Sequence, residues 1–150
     1  MGSGIEGRLL VGGQAEGRAL VLDQPLSLWG GVDPATGTII DARHPQRGAV
    51  VAGRMLVLPH GRGSSSSSSI LAEAVRAGTA PAALLVREPD AILVIGALAA
   101  RELYGRTCPV VLLGPDAHAS IVDGEILRVA LDGRISRPGR PDAPRSGGRT

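Results

Sequence analysis

The stretch "GRMLVLPHGRGSSSSSSILAEAVRAGTAP" at residues 53–81 decides the fold class, because its pattern changes from that of a strand to that of a helix. It opens with the strongly apolar segment "GRMLVLP", as in a β-strand of a protein core. From Ile70 the apolar residues recur at helical spacing, with Gly78 at the helix end and Pro81 beyond it. The stretch therefore predicts a strand, a turn and a helix, which is the building unit of an α/β fold.

Six consecutive serines, Ser64–Ser69, fill the predicted turn and admit two interpretations. A flexible linker is the simpler one, but a linker would have polar flanks, whereas here a core strand enters and an amphipathic helix leaves. A strand-to-helix turn points backbone N–H groups and the positive end of the helix dipole at whatever lies above it. Gly61 and Gly63 allow close approach to that backbone, and Arg62 adds a cation. We therefore expect an anion-binding site.

Two familiar phosphate-binding motifs do not fit this turn. A P-loop needs Gly-Lys-Ser/Thr, and the chain contains no lysine. The dinucleotide fingerprint Gly-x-Gly-x-x-Gly fails because Ser66 stands in the position of the third glycine. What remains is a hydroxyl group held among N–H donors beside an arginine.

The elements predicted on either side complete an α/β chain with a β-rich frame. Asp90 is a natural N-cap for a second helix, and Asp123 followed by Gly124 predicts a hairpin turn. The predicted strands are "RLLVGG", "RALVLD", "GTIID", "GRMLVLP", "AALLV", "CPVVLLG" and "EILRVAL". Strands open and close the domain with two strand–helix units between them, which indicates a barrel-like sheet carrying two main helices.

Composition and charge exclude some classes of partner. The chain has 150 residues, of which 43% are hydrophobic, enough for one domain with a core. Trp29 and Tyr104 are its only aromatic residues, which argues against a stacking platform for single-stranded nucleic acid. Residues 134–150 hold five arginines and one acid, whereas the preceding residues hold eleven arginines and thirteen acids. The basicity therefore belongs to the tail, and we expect no nucleic-acid partner.

Both ends of the chain are expected to lie outside the folded domain. Residues 1–8, "MGSGIEGR", match a tag-cleavage sequence and are interpreted as a tag remnant or flexible start. Residues 134–150 are rich in Pro, Gly, Ser and Arg and are predicted to be a disordered tail, which leaves residues 9–133 as the domain. Because no signal peptide is recognisable and the apolar run at residues 91–100 is too short to cross a bilayer, we expect a cytoplasmic protein without membrane contact.

Three longer segments carry motifs specific enough to suggest a family. They are "PLSLWGGVDPATGTIIDARHPQRG", "VAGRMLVLPHGRGSSS" and "GTAPAALLVREPDAILVIGALAARELYGRTCPVV". Over roughly residues 8–131 the chain resembles the small, swivelling subunit of the aconitase X family. The resemblance implies a swivelling β/β/α domain of the aconitase type, which is active as a hydro-lyase only with a large subunit. That partner is expected to supply most substrate ligands and an iron or iron–sulfur centre.

The resemblance also implies a substrate class and a catalytic residue. Bacterial members dehydrate cis-3-hydroxy-L-proline, and archaeal members dehydrate mevalonate 5-phosphate. The serine that directly follows Gly-Arg-Gly is the proton acceptor of the family, and that position here is Ser64. The family often has glycine further along the loop, where this chain has Ser67 or Ser69. That departure leaves Ser64 in place.

Four neighbouring or turn residues are candidates for substrate binding, each with a structural alternative. Arg62 is expected to pair with a substrate carboxylate or to brace the loop, and Gly63 lets a ligand approach the backbone. Ser65 either orients the carboxylate or caps the helix. Asp33 either reaches the site or forms an Asp-Pro turn.

The chain itself is expected to hold no metal. Cys108 is its single cysteine, so it can form neither an internal disulfide nor a cluster site that needs several thiolates. His44, His60 and His118 lack the spacing of metal ligands.

The expected chemistry removes a proton next to a carboxylate and hydroxide from the adjacent carbon. A serine hydroxyl is a poor base, so the turn must stabilise its alkoxide with N–H groups and Arg62 in a site closed to water. The Lewis acid for the departing hydroxide must then come from the partner. Because the arginine-only composition suggests a GC-rich bacterium, cis-3-hydroxy-L-proline is the favoured substrate and mevalonate 5-phosphate the second candidate. Two non-enzymatic alternatives remain: a free-standing anion-binding module, and a regulatory subunit whose serines are idle.

Overall fold

The structure is a computed structural model that describes residues 4–59 and 65–138. Its strands are β1 (Ile5–Glu6), β2 (Arg8–Val11), β3 (Ala15–Val21), β4 (Val32–Asp33), β5 (Thr38–Ile39), β6 (Met55–Leu58), β7 (Ala83–Val86), β8 (Val110–Leu112), β9 (Ile126–Val129) and β10 (Arg134–Ser136). Its helices are α1 (Leu28–Gly31), α2 (Ser67–Ala77), α3 (Ala91–Tyr104) and α4 (Pro115–Ala119).

The centre of the fold is a parallel arrangement of β3, β6, β7 and β8, in that order. Every residue of β6 and of β7 is buried. A strand buried along its whole length must be covered on both faces, which explains why "MLVL" and "ALLV" are continuous apolar runs rather than alternating ones. The continuous runs therefore require a layer on each side of the sheet.

Alternate residues of these strands point into two separate cores. Leu56 and Leu84 join the core beneath the helices, which also contains Leu71 of α2 and Ala97 of α3. The other core holds the intervening strand residues together with side chains of β1, β9 and β10: Met55, Val57, Ala83, Leu85, Val111, Leu127, Val129, Ile5 and Ile135. The molecule is thus a three-layer β/β/α domain, with helices on one face of the central strands and curled antiparallel strands on the other.

The sheet continues beyond the parallel strands into a curved frame. The strand order is β1-β10-β9-β3-β6-β7-β8-β2. The two end strands, β1 and β2, are separated by the single residue Gly7, so the segment 5–11 pairs with β10 at one end of the sheet and with β8 at the other. This continuity confirms the predicted α/β fold with a barrel-like β frame and two main helices, although no ladder joins β1 to β2 among the described residues.

The ordered chain extends further at both ends than residues 9–133. Ile5 of β1 pairs with Ile135 of β10, and both side chains are buried against the second core. Their burial removes two large apolar side chains from water, which outweighs the polar, glycine-rich character of the flanking sequence. Residues 5–8 and 134–136 are therefore part of the fold, where the composition indicated a flexible start and a disordered tail.

α2 ends and α3 begins as their sequences predict, whereas α2 begins at Ser67, so the last three serines of the run lie in the helix and not in the turn. Gly78 ends α2 in the left-handed conformation, with φ of 79°. Asp90 caps α3, because its carboxylate accepts hydrogen bonds from the backbone N–H groups of Ile92 and Leu93 at 3.0 and 3.1 Å. Across residues 4–59 and 65–138, the length and apolarity of every helix fall short of a membrane span.

Gly96 brings α3 into backbone contact with the start of α2. A Cβ atom at this position would lie 2.8 Å from the carbonyl oxygen of Ser68 and 3.2 Å from Cβ of Leu71. The missing side chain therefore determines how closely the two helices approach near the serine run.

Gly96→Ala is expected to lower the free energy of unfolding by about 1–3 kcal/mol, because the added methyl group must push α2 away from α3. Urea denaturation followed by circular dichroism measures this change. Gly12→Ala is the matched control, since a Cβ there meets one atom, at 3.9 Å. The control is expected to stay within about 0.5 kcal/mol of the native chain. Equal stability of the two variants would contradict the proposed packing role.

Candidate functional site

The carboxyl ends of the four parallel strands lie at one edge of the sheet. Ligands of open α/β sheets bind characteristically outside this edge. β6, one of the two central strands, ends here at Leu58, and α2 begins at Ser67. The chain between them contains the predicted serine turn, so the strand–turn–helix order expected from the sequence is confirmed at the edge where a ligand site is most common.

Several predicted site residues lie outside the described residues. They are Arg62, Gly63 and Ser64, together with His60. Their roles stay predictions. The described part of the site consists of the residues on either side of them.

Ser65 is exposed and immediately precedes the N-cap position of α2. Its carbonyl oxygen accepts hydrogen bonds from the backbone N–H of Ser68 at 3.2 Å and from the Ser68 hydroxyl at 2.8 Å. The N-cap residue is Ser66, so helix capping at that position does not use Ser65. A role of the Ser65 hydroxyl toward a substrate carboxylate remains a prediction.

A turn containing the single tryptophan contacts the first residue of α2. The backbone N–H of Trp29 donates a hydrogen bond to Oγ of Ser67 at 3.1 Å, and Oγ of Ser27 lies 3.4 Å from the same atom. The Trp29 side chain is 57% exposed, whereas Ser67 is 3% exposed. The sequence does not reveal this contact, because nothing in a run of identical residues shows which serine is buried.

Asp33 lies away from this contact, toward the other end of α2. Its carboxylate accepts a hydrogen bond from the backbone N–H of Ala35 at 2.9 Å, and its carbonyl oxygen accepts one from Gly37 at 2.7 Å. The hydroxyl of Thr79, just beyond the end of α2, donates to the carbonyl oxygen of Pro34 at 2.6 Å. These contacts support the alternative of an Asp-Pro turn, and a role of Asp33 at the site stays a prediction.

His118 of α4 contacts the last residue of β6. Its Nε2 lies 2.6 Å from the carbonyl oxygen of Leu58, so that nitrogen carries the proton and donates it. Partial burial lowers the pKa of His118, the bond to Leu58 opposes this effect, and the positive charge of Arg87 lowers the pKa further. A neutral imidazole therefore braces the strand from which the serine turn departs.

The lowered pKa of His118 predicts a pH-dependent contribution to stability. An unfolded imidazole takes up its proton near pH 6.5, before the folded one does, so the folded state loses stability as the pH falls below that value. His118→Gln removes this dependence. We expect the difference in Tm between the native chain and His118→Gln to shrink or reverse between pH 7.5 and about 5. A difference that stays constant across this range would contradict the prediction.

Two arginines line a cleft at the same edge of the sheet. The cleft has a volume of about 480 Å³ and lies between the carboxyl ends of β7 and β8 and the start of β2. Arg87 and Arg8 contribute its cationic groups, and Glu6 contributes an acidic one. Both arginines are exposed. The edge therefore carries positive charge on the side of His118, whose pKa the charge of Arg87 lowers.

The described residues do not fit an iron centre. Residues 4–59 and 65–138 contain no group of three or more His, Cys, Asp or Glu side chains placed to hold a metal. Burial raises the pKa of Cys108 to about 12, so this residue is a thiol rather than a thiolate ligand. Both ring nitrogens of His44 are engaged by the backbone of neighbouring loops, at 3.1 Å each. These side chains serve the fold.

Residues 4–137 match the family model described as the aconitase X swivel domain. The chain belongs to this family. The resemblance noted in the sequence is thus confirmed, and so is the implied β/β/α architecture. The swivel domain superposes on the crystal structure of Thermococcus kodakaraensis aconitase X in its holo-form with a TM-score of 0.78 and 34% identity, covering 89% of this chain and 96% of that chain.

The curated relatives of this swivel domain are named as dehydratases. The chain is 50% identical over 107 residues to cis-3-hydroxy-L-proline dehydratase of Pseudomonas aeruginosa, which covers 71% of this chain and 18% of the relative. It is 43% identical over 96 residues to the phosphomevalonate dehydratase small subunit of Thermococcus onnurineus, which covers 64% of this chain and 74% of that subunit. The match thus spans less than a fifth of the length of the Pseudomonas protein.

Proposed function

We propose that this swivel domain is the small subunit of a heteromeric aconitase X dehydratase whose substrate is cis-3-hydroxy-L-proline. The observation that carries this proposal is the 50% identity to the Pseudomonas enzyme of that name. A fungal relative from Hypocrea jecorina with the same name is 40% identical over 111 residues. The relatives named as small subunits support a separate large partner, because they match the swivel domain over about three quarters of their own length.

The proposed base is Ser64. Its deprotonated Oγ would take the proton from the carbon next to the substrate carboxylate, the electron pair of the C–H bond would form the new double bond, and hydroxide would leave from the adjacent carbon. The proton and hydroxide account for the water that a dehydratase releases. Ser64 precedes the 11-residue helix α2 by three positions, so the positive end of a helix dipole is available to favour its anion.

The residues beside Ser64 have binding roles in this proposal. Arg62 pairs with the substrate carboxylate, the backbone N–H of Gly63 approaches it, and the Ser65 hydroxyl orients it. Asp33 is left out of the proposed site, because its carboxylate caps its own turn toward the other end of α2. An iron or iron–sulfur centre is assigned to the large subunit, since the described residues of this chain offer no set of ligands for one.

Mevalonate 5-phosphate is the second candidate substrate. The archaeal small subunits support it with 43% identity in Thermococcus onnurineus and 51% identity over 81 residues in Methanopyrus kandleri. Assaying the purified pair of subunits against both compounds separates the two candidates. Turnover of mevalonate 5-phosphate alone would contradict the favoured substrate while leaving the dehydratase proposal in place.

Ser64→Ala in the reconstituted pair is expected to lower kcat by about 10²–10⁴-fold, the usual contribution of a general base. Initial rates of substrate loss measure this effect. Ser69→Ala is the matched control, because Ser69 is an exposed serine of the same run in the first turn of α2. The control is expected to keep full activity.

Two results would overturn the assignment. Full turnover by Ser64→Ala would exclude that hydroxyl as the base. A chain that neither co-purifies with a large partner nor supports dehydration would favour the alternative of an anion-binding or regulatory module.

The cytoplasmic setting stays a prediction, which fractionation of the native cells would test.

A further inference from the structure

One serine of the run differs from its described neighbours in burial. Among residues 65–69, Ser67 is the one that is buried, at 3% exposure, whereas Ser65, Ser66 and Ser69 are exposed. A buried hydroxyl needs hydrogen-bond partners, because leaving it without them costs on the order of 1–3 kcal/mol. The contacts of Ser67 therefore show what this position does.

The partners of Ser67 belong to a turn distant in sequence. Oγ of Ser67 accepts the backbone N–H of Trp29 at 3.1 Å and lies 3.4 Å from Oγ of Ser27. The Ser27 hydroxyl in turn donates to the carbonyl oxygen of Trp29 at 3.1 Å. With that proton committed to Trp29, the Ser67 hydroxyl is left to donate to Ser27. Both backbone polar groups of Trp29 are thus held in one closed ring of hydrogen bonds.

A closed ring of this kind is more rigid than separate bonds, because each hydroxyl both donates and accepts and so polarises the next. It also holds the turn at a defined conformation. Within the four-residue α1, Trp29 has φ −72° and ψ 118°, and Gly30 has φ 79° and ψ −12°, which are not helical angles but those of the two central residues of a type II β-turn. The positive φ at the second position requires glycine, so "WGG" supplies the turn that the serines hold.

The ring and α3 both hold the start of α2, through the adjacent residues Ser67 and Ser68. Gly96 places the backbone of α3 against Ser68. Ser67 is tied to the Trp29 turn. The first turn of α2 is therefore fixed by two contacts directly after the proposed catalytic serine, and a base must be held close to its productive geometry to be effective.

We propose that Ser67, together with Ser27, is a positioning residue of this enzyme: the pair locks the Trp29 turn to the first turn of α2, the helix that follows Ser64 in the sequence. This inference rests on the proposed function for its catalytic consequence. The hydrogen-bond ring itself does not depend on the proposed function. It can be followed by the fluorescence of Trp29, because Trp29 is the only tryptophan in the chain.

The test uses Ser67→Ala in two measurements. In the full-length chain by itself, loss of the ring frees the Trp29 turn, so acrylamide quenching of its fluorescence is expected to rise and fluorescence anisotropy to fall. In the pair with the large subunit, kcat is expected to fall about tenfold while KM stays within about twofold, because the base is misplaced rather than the binding groups removed. Ser69→Ala is the control for both measurements and is expected to change neither.

Ser27 is a second, partly buried member of the same hydrogen-bond ring, so it can be substituted independently of Ser67. Ser27→Ala is expected to reproduce both effects of Ser67→Ala, and Ser27→Thr, which keeps the hydroxyl, is expected to restore native fluorescence and kcat. These variants keep the test decisive if Ser67→Ala does not fold.

The outcomes separate this inference from the proposed function. Unchanged Trp29 fluorescence in both alanine variants would overturn the hydrogen-bond ring. Changed fluorescence with native kcat would overturn the positioning role while leaving the dehydratase intact. Failure of the proposed function appears elsewhere, as an inactive native pair or a fully active Ser64→Ala, and either result would remove the catalytic role of Ser67 as well.

Discussion

The fold depends on the burial of β6 and β7 along both of their faces. Neither strand has a polar side chain to present to water, so each face must be covered by a separate layer. The helices α2 and α3 cover one face, and the antiparallel strands β9, β10 and β1 curl over the other. Parallel strands also need long crossover connections, which place α2 and α3 side by side and bring the carboxyl ends of the four parallel strands to one edge.

That arrangement places the start of α2 where a ligand site is expected. The helix follows a central strand, so its first turn lies at the carboxyl edge, where the sheet leaves room for a ligand. Its position is set by contacts from elements that are far away in the sequence. α3 approaches through Gly96, the Trp29 turn is tied to it through Ser67, and His118 braces the strand that precedes it. Under the proposed function, this bracing would hold the functional groups at the carboxyl edge in a repeatable geometry.

Individual residues show why some elements were predictable from the sequence. The apolar runs of β6 and β7, the cap at Asp90 and the helix end at Gly78 depend on local patterns, and the structure has each where it was expected. The strands β1 and β10 were missed because each is short and lies in a glycine- or arginine-rich sequence. Their stability comes from the burial of Ile5 against Ile135, a contact between opposite ends of the chain.

In the candidate site, too, some features were predictable from the sequence and others were not. The three long sequence segments pointed to a family, and the comparisons confirm that family. The sequence offered Asp33 either a place in the site or an Asp-Pro turn, and its contacts with Ala35 and Gly37 support the turn. By contrast, the sequence of six consecutive serines does not show which hydroxyl is buried.

By itself, then, the sequence determined the α/β class, the strand–turn–helix unit and the family, since periodicity and motif spacing are properties of neighbouring residues. The tertiary structure alone decided that residues 5–8 and 134–136 belong to the frame, that the turn after Asp33 contacts Thr79 beyond α2, and that Ser67 bonds to the Trp29 turn. Each of these depends on contacts between residues tens of positions apart, whose formation is governed by the packing of whole layers.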